Sequence, residues 1–321
     1  MINFRLFKKT GFLFVKISLF LVILSCSTEK SKKEDVVVLT GLDGQEFRTP
    51  EISEKTRAAL DSNLNVARKN FEEDPSEENY IWLGRREAYL YHYKEAIEIF
   101  SEGIEHFPDS YKLYRHRGHR YITMCDFSKA VADFQKAAAL MPSNPLEIEP
   151  DGQPNKLNIP LSSTQFNVWY HLGLAHYLRG DFENAAMAYM QCMGTSNNDD
   201  LMCATIDWLY MTYRRMGRDQ EATALLGLIL DDMKIIENNS YFLRLKMYKG
   251  QIPPDSLLQV NSANEDVDLA LATQGYGVGN WYLCEGDTAK ATEIFEKVVS
   301  GKHFSSFGFI AAEAELARNK K

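Results

Sequence analysis

Apolar side chains recur along the chain in short helical stripes, with a period of roughly 34 residues. Residues 111–144 show the pattern most clearly. Tyr114, Gly118 and Tyr121 share one face, Ala130, Phe134 and Ala137 share another, and Pro142 follows. This spacing predicts two amphipathic helices joined at residues 125–127. Gly118 and Ala130 leave room for a close antiparallel crossing, Tyr114, Tyr121 and Phe134 fill the space around it, and Pro142 stops the second helix.

The same offsets return elsewhere. Residues 77–110 carry Tyr80, Leu83, Gly84, Ala96, Phe100, Gly103 and Pro108. Residues 166–199 carry Trp169, Leu172, Gly173, Ala185, Tyr189 and Cys192, with Gly180, Asp181 and Phe182 at the turn. Residues 203–236 match more loosely, with Leu209, Tyr213, Ala222 and Leu226 around Gly217. Residues 272–305 have Val278, Gly279, Tyr282, Ala291 and Phe295. A single helix pair cannot bury its apolar face, so such units are expected to stack. Taken together, these residues resemble the tetratricopeptide repeat family over most of residues 77–305. The resemblance implies an all-α superhelix, a solenoid of about five to six helix pairs with capping helices at its ends. It implies little about activity.

The flanks complete the expected layout. Residues 51–76 read as an N-terminal capping helix with Leu60, Leu64, Ala67 and Phe71 on one face. Residues 77–144 hold the first two repeats and 166–236 the next two. Between them, Pro145, Pro150, Pro154 and Pro160 exclude a regular helix from the insert at 145–165. Leu146, Ile148, Leu157 and Ile159 favour an ordered loop packed on the helices; a tolerated surface loop is the alternative. In residues 237–271, Gly250, Pro253 and Pro254 cut a repeat short, which makes this a degenerate unit. Residues 272–305 form the last repeat and 306–321 a terminal capping helix.

The N-terminus changes the picture. Residues 17–24 are an apolar run ending at Ser25 and Cys26, too short for the roughly 20 residues that span a bilayer, and basic residues precede it. Residues 1–25 therefore read as a secretory signal. Ile23, Leu24, Ser25 and Cys26 resemble the lipobox of bacterial lipoproteins, which implies cleavage before Cys26 and acylation there. An ordinary signal with an incidental cysteine is the alternative. In such lipoproteins Ser27, in place of Asp, implies the outer membrane, facing the periplasm or the cell surface. Residues 31–35 resemble surface-export signals, and 26–50 are expected to be a flexible tether.

The whole chain of 321 residues has a formal net charge of −8. The signal holds Arg5, Lys8, Lys9 and Lys16, four of the 36 basic residues, and no acid. Residues 26–321 therefore hold 32 basic against 44 acidic side chains. That balance argues against nucleic acid as a partner.

In the repeat family, positions five and nine of each first helix line the concave surface. Here they are Ile81 and Arg85, Arg115 and His119, Tyr170 and Leu174, Asp207 and Met211, Tyr276 and Asn280; Arg214 adds a cation at position twelve. The resemblance thus implies a groove in which Arg85, Arg115, His119, Tyr170, Arg214 and Tyr276 grip a protein or extended peptide, an acidic one if the arginines contribute. The alternative is that the arginines pair with Glu77, Glu78 and Glu87 on a solvated face. Arg115, Arg117 and Arg120 would repel a metal from His116 and His119. Cys125, Cys192, Cys203 and Cys284 lack metal-site spacing and are expected to be buried thiols, with Cys192 and Cys203 the more plausible disulfide pair. No phosphate loop, nucleophile elbow or zinc-peptidase motif is present, so neither cofactor nor catalysis is expected. The expected role is a lipid-anchored scaffold. A sugar-capturing lipoprotein using Trp169 and Tyr170 is the competing reading.

Overall fold

The computed structural model describes residues 36–152, 154–259 and 267–319. The signal-like run and Cys26 lie outside the described residues, and so does the start of the expected tether.

Helix pairs dominate the chain. Helix α1 (Glu54–Glu73) precedes α2 (Glu77–Tyr89) and α3 (Tyr93–His106), then α4 (Tyr111–Thr123) and α5 (Phe127–Leu140). After the insert come α6 (Thr164–Leu178) and α7 (Phe182–Met193), then α8 (Asp199–Arg215) and α9 (Asp219–Leu226). Among the described residues, helix α10 (Asn239–Tyr248) is followed by a 3-10 turn at Pro254–Leu258. Helices α11 (Val267–Cys284), α12 (Thr288–Val299) and α13 (Phe307–Asn319) end the chain. Among the described residues no helix is long and apolar enough to cross a membrane.

Local chemistry sets these boundaries. The side chains of Ser110, Asp126, Ser163, Asp181, Asn198 and Asp287 each accept a backbone N–H in the first turn of the adjoining helix. Within a pair, an aromatic ring of the second helix lies on a glycine of the first. A Cβ on Gly84 would come within 2.4 Å of the Phe100 ring, one on Gly173 within 2.7 Å of Tyr189, and one on Gly279 within 2.5 Å of Phe295. Gly118 meets Phe134 in the same way. This recurring contact is the reason the period is visible in the sequence.

The turn between paired helices needs one residue with positive φ. Gly180, Gly217, Gly250 and Gly286 supply it in four units, but Tyr91 (φ 68°) and Cys125 (φ 57°) fill the same slot in the first two. Both are costly choices for that conformation. Each side chain reaches the C-terminal segment: the Tyr91 ring lies 6.1 Å from Phe304, and the Cys125 thiol lies 3.8 Å from a Glu313 oxygen.

That segment departs from the expectation of a cap closing one end. Helix α13 is buried from Gly308 to Glu315 on every side, packed on α11 and α12 and also on α6. Gly308 sits so close to the Ala272 carbonyl that a Cβ there would be 2.1 Å from the oxygen. The tether expectation also fails in its second half. Val37–Thr40 (β1) and Glu46–Arg48 (β2) form an antiparallel hairpin that pairs Leu39 with Phe47. Phe47 packs 5.0 Å from Phe304 and 5.6 Å from Phe309, and the Leu42 N–H donates to Glu313 at 2.7 Å. Burial of Val38, Leu39 and Phe47 outweighs the polar character of the residues around them.

Candidate binding surface

The insert covers the inner side of the first two repeats. Of the four apolar residues expected to anchor it, Leu146 is half-buried, and Ile148, Leu157 and Ile159 are exposed. Its anchors are polar. Glu147 receives hydrogen bonds from Tyr111 and Lys112, and Glu149 pairs with Arg115 at 2.8 Å. Arg85 and Arg86 donate to the carbonyls of Pro150 and Gly152 at 2.9 and 3.1 Å. Gly152 lies so near Tyr89 that any side chain there would strike the phenol. Backbone bonds from Glu149 to Ser162 and from Thr164 to Glu147 close the base of the loop.

The residues expected to line an open groove are therefore engaged within the chain. Arg85 and Arg115 face the insert, and their partners are Pro150 and Glu149, neither of which was anticipated. His119 lies 4.6 Å from His171 and 5.5 Å from Phe307 of the C-terminal segment. Tyr170 stacks on Phe166 at 5.4 Å and donates to the Tyr241 hydroxyl at 3.2 Å. Arg214 is held by Asp219 at 2.7 Å, Glu285 at 2.8 Å and the Tyr210 hydroxyl at 3.1 Å; burial works against its proton, but Glu285 and Tyr210 outweigh it and raise its affinity for that proton. Tyr276 is fully buried and donates to Tyr177 at 2.8 Å, while its ring stacks on Trp208. The structure brings Arg85, Arg115 and His119 around one small cavity and leaves Tyr170, Arg214 and Tyr276 apart from it. Glu87 pairs with Arg68, not with the arginines of α2 and α4.

Several interior charges were not anticipated from the sequence. Asp207 and Arg244 form a fully buried two-point ion pair between α8 and α10, and Arg244 also donates to the Thr273 carbonyl. Glu315 accepts from Arg215 and Arg318. Paired acids within the otherwise apolar stretch 307–317 were the available signal, because an acid in such a stretch needs a cation. All four cysteines beyond Cys26 are free thiols; Cys192 meets the Thr205 hydroxyl at 3.3 Å.

His116, His119 and His171 are all held below the ordinary imidazole range by burial first and then by nearby arginines, His171 to about 3. In the unfolded chain they titrate near 6.5. Between those limits the unfolded chain binds more protons, so their contribution is full above about 6.5 and is lost as pH falls. For His171 the loss at pH 5 is about 2 kcal/mol. Buried carboxyls such as Asp207 act in the opposite direction, so the test compares variants. Denaturant melts at pH 7.5 and 5 should show the parent losing about 2 kcal/mol more than His171→Gln. Parallel pH profiles would contradict this assignment.

Among known families, the tetratricopeptide repeat model matches residues 166–199, which span α6 and α7. A tetratricopeptide repeat protein from Parabacteroides merdae is similar in structure at 12% identity, covering 82% of this chain and 94% of its own, with a TM-score of 0.46. YrrB, described as a TPR protein with an unusual peptide-binding site, is similar at 15% identity over 79% of this chain and 99% of its own, with a TM-score of 0.42. MamA is similar at 17% identity over 63% of this chain and all of its own, with a TM-score of 0.41. The search of curated proteins gives no match. Residues 166–199 are thus a tetratricopeptide repeat, and the same glycine-on-ring helix pair recurs on both sides of it.

Proposed function

We propose that this protein is a lipid-anchored, non-catalytic adaptor of the bacterial cell envelope that holds a protein partner on its repeats. The observation that carries the reading is how the repeats treat a polypeptide of their own. Helices α4, α6 and α8 grip residues 304–318 through rings of His119 and His171 on Phe307, the Leu178 carbonyl that accepts from Arg318, and Arg215 on the buried carboxylate of Glu315. A scaffold that can enclose one helix in this way has the surface chemistry to receive another.

Because the inner side is filled by the chain itself, the partner surface is sought on the outside. Met187 and Met190, three apart on α7, are exposed, as are Leu228 and Leu230 beyond α9. Methionine adapts its shape to a partner at little cost. The preference for an acidic ligand is not retained, since the cations behind it are already engaged.

Two measurements test the reading. Changing Cys26 to Ser should abolish palmitate labelling and release the protein from the membrane fraction, because acyl chains supply the membrane affinity. A variant that stays in the membrane would refute the anchor. Changing Met187 and Met190 together to Glu should remove a crosslinked envelope partner while leaving helicity unchanged. Undiminished crosslinking would exclude that surface.

A further inference from the structure

Beneath the insert, α2 and α4 border a cavity of about 100 Å³ that is lined by Arg85, Arg115, Arg120, His116, His119 and Glu149 among others. It is several times larger than the space a single water needs. Its charges do not balance. Arg115 has Glu149 as its counter-ion. Arg85 donates to an uncharged carbonyl, and the carboxyl of Asp151 acts on it from the insert, outside the lining. The Arg120 guanidinium makes no hydrogen bond or ion pair with any described residue and rests against the Tyr93 ring at 5.7 Å. His116 and His119 are neutral, and the nearby arginines help keep them so. One buried and two half-buried guanidiniums thus line the cavity with one carboxylate, an excess of positive charge that is costly without a further anion.

Two side-chain atoms of these lining residues are also left without a partner. Arg115 Nε and Glu149 Oε2 are both buried and make no hydrogen bond. One is a donor and the other an acceptor. A water could satisfy both but would leave the positive charge uncompensated. A carboxylate or a sulfate would answer the arginines but, having no proton to offer at neutral pH, would place its lone pairs against Glu149. Hydrogen phosphate answers both needs. Its oxygens accept from Arg115 and Arg120, its remaining hydroxyl donates to Glu149, and its charge approaches −2 near neutral pH.

We propose that this cavity is a binding site for free hydrogen phosphate. The site does not depend on the adaptor reading, since it lies on the inner side and needs no protein partner.

The test is calorimetric titration of the full chain in chloride buffer with inorganic phosphate, sulfate and glycerol phosphate. Phosphate should bind one to one and at least about tenfold more tightly than sulfate, because only phosphate can donate to Glu149. Arg120→Gln should weaken phosphate about 10- to 100-fold while leaving the unliganded melting temperature close to that of the parent, since the guanidinium makes no other hydrogen bond or ion pair and its contact with the Tyr93 ring is weak. Glu149→Gln, which supplies a donor, should narrow the preference over sulfate. One-to-one binding of inorganic phosphate, with glycerol phosphate no tighter than sulfate because it too has lost its acidic proton, supports the site. No binding of inorganic phosphate, equal binding of sulfate, or unchanged affinity in Arg120→Gln would overturn it.

Discussion

A chain ending before His303 should fail to fold as a stable array, and it should not yield an emptied groove. Residues 304–315 bury Phe304, Phe309 and Ile310 almost completely, together with Ala311, Ala312 and Ala314. Each of the three large side chains contributes about 1.5–3 kcal/mol of burial. Their loss would also strip Arg215 of Glu315 and the hairpin of its Glu313 contact. The total is comparable to the whole stability of a typical domain, about 5–15 kcal/mol. A milder variant reaches the same contact. Gly308→Val would drive a branched side chain into the backbone at Ala272, where neither side can yield, and should cost about 3 kcal/mol or more. Circular dichroism melts decide the matter. A truncated chain that melts cooperatively within a few degrees of the parent would show that the C-terminal segment is not core.

The second large effect concerns Asp207 and Arg244. Both are fully buried, and the pair ties α8 to the shortened repeat at α10, with a further bond to α11 through Thr273. Changing Arg244 to Met leaves a buried carboxylate without its cation, at a cost of about 3–5 kcal/mol. For a chain of this size that lowers the melting temperature by roughly 10 °C. Changing Asp207 to Leu in the same chain removes the stranded charge and should restore much of the loss. The pH dependence has a definite sign. Burial raises Asp207 from 3.8 to about 6, with Arg244 opposing the rise. The folded state therefore binds this proton more tightly than the unfolded one. Its contribution is full below about 4 and is lost as pH rises through 6. Without Arg244 the carboxyl moves higher still, so the single variant's deficit should shrink between pH 7 and 5. A deficit that stays constant, or a double variant no better than the single, would place the loss elsewhere.

The repeat units were legible because their packing is local. Gly118 and Phe134 meet across one turn, and so do Gly173 and Tyr189, so spacing along the chain carries the contact. The occupied inner side was not legible, because helix positions tell which way a side chain faces and not what lies opposite. Arg115 faces inward as its position implies, yet its partner, Glu149, belongs to an insert whose proline content gave no register. The insert was expected to hold on by Leu146, Ile148, Leu157 and Ile159, but the last three face water and Glu147 and Glu149 do the anchoring. The hairpin escaped notice for a related reason. Phe47 finds its partners, Phe304 and Phe309, at the opposite end of the chain. The turn residues Tyr91 and Cys125 were a usable signal, since both stand where four other units have glycine and both touch the C-terminal segment.

The central claim is that the repeats close around their own C-terminal helix. Native-state hydrogen exchange of the full chain tests it most directly, because exchange reports how far each amide is from local opening. Amides of residues 308–315 should be among the slowest in the protein, exchanging with the core helices α6 and α8. Rapid exchange there, as for a frayed terminus, with α6 and α8 still protected, would mean that the inner face is open and that the repeats do not enclose this helix.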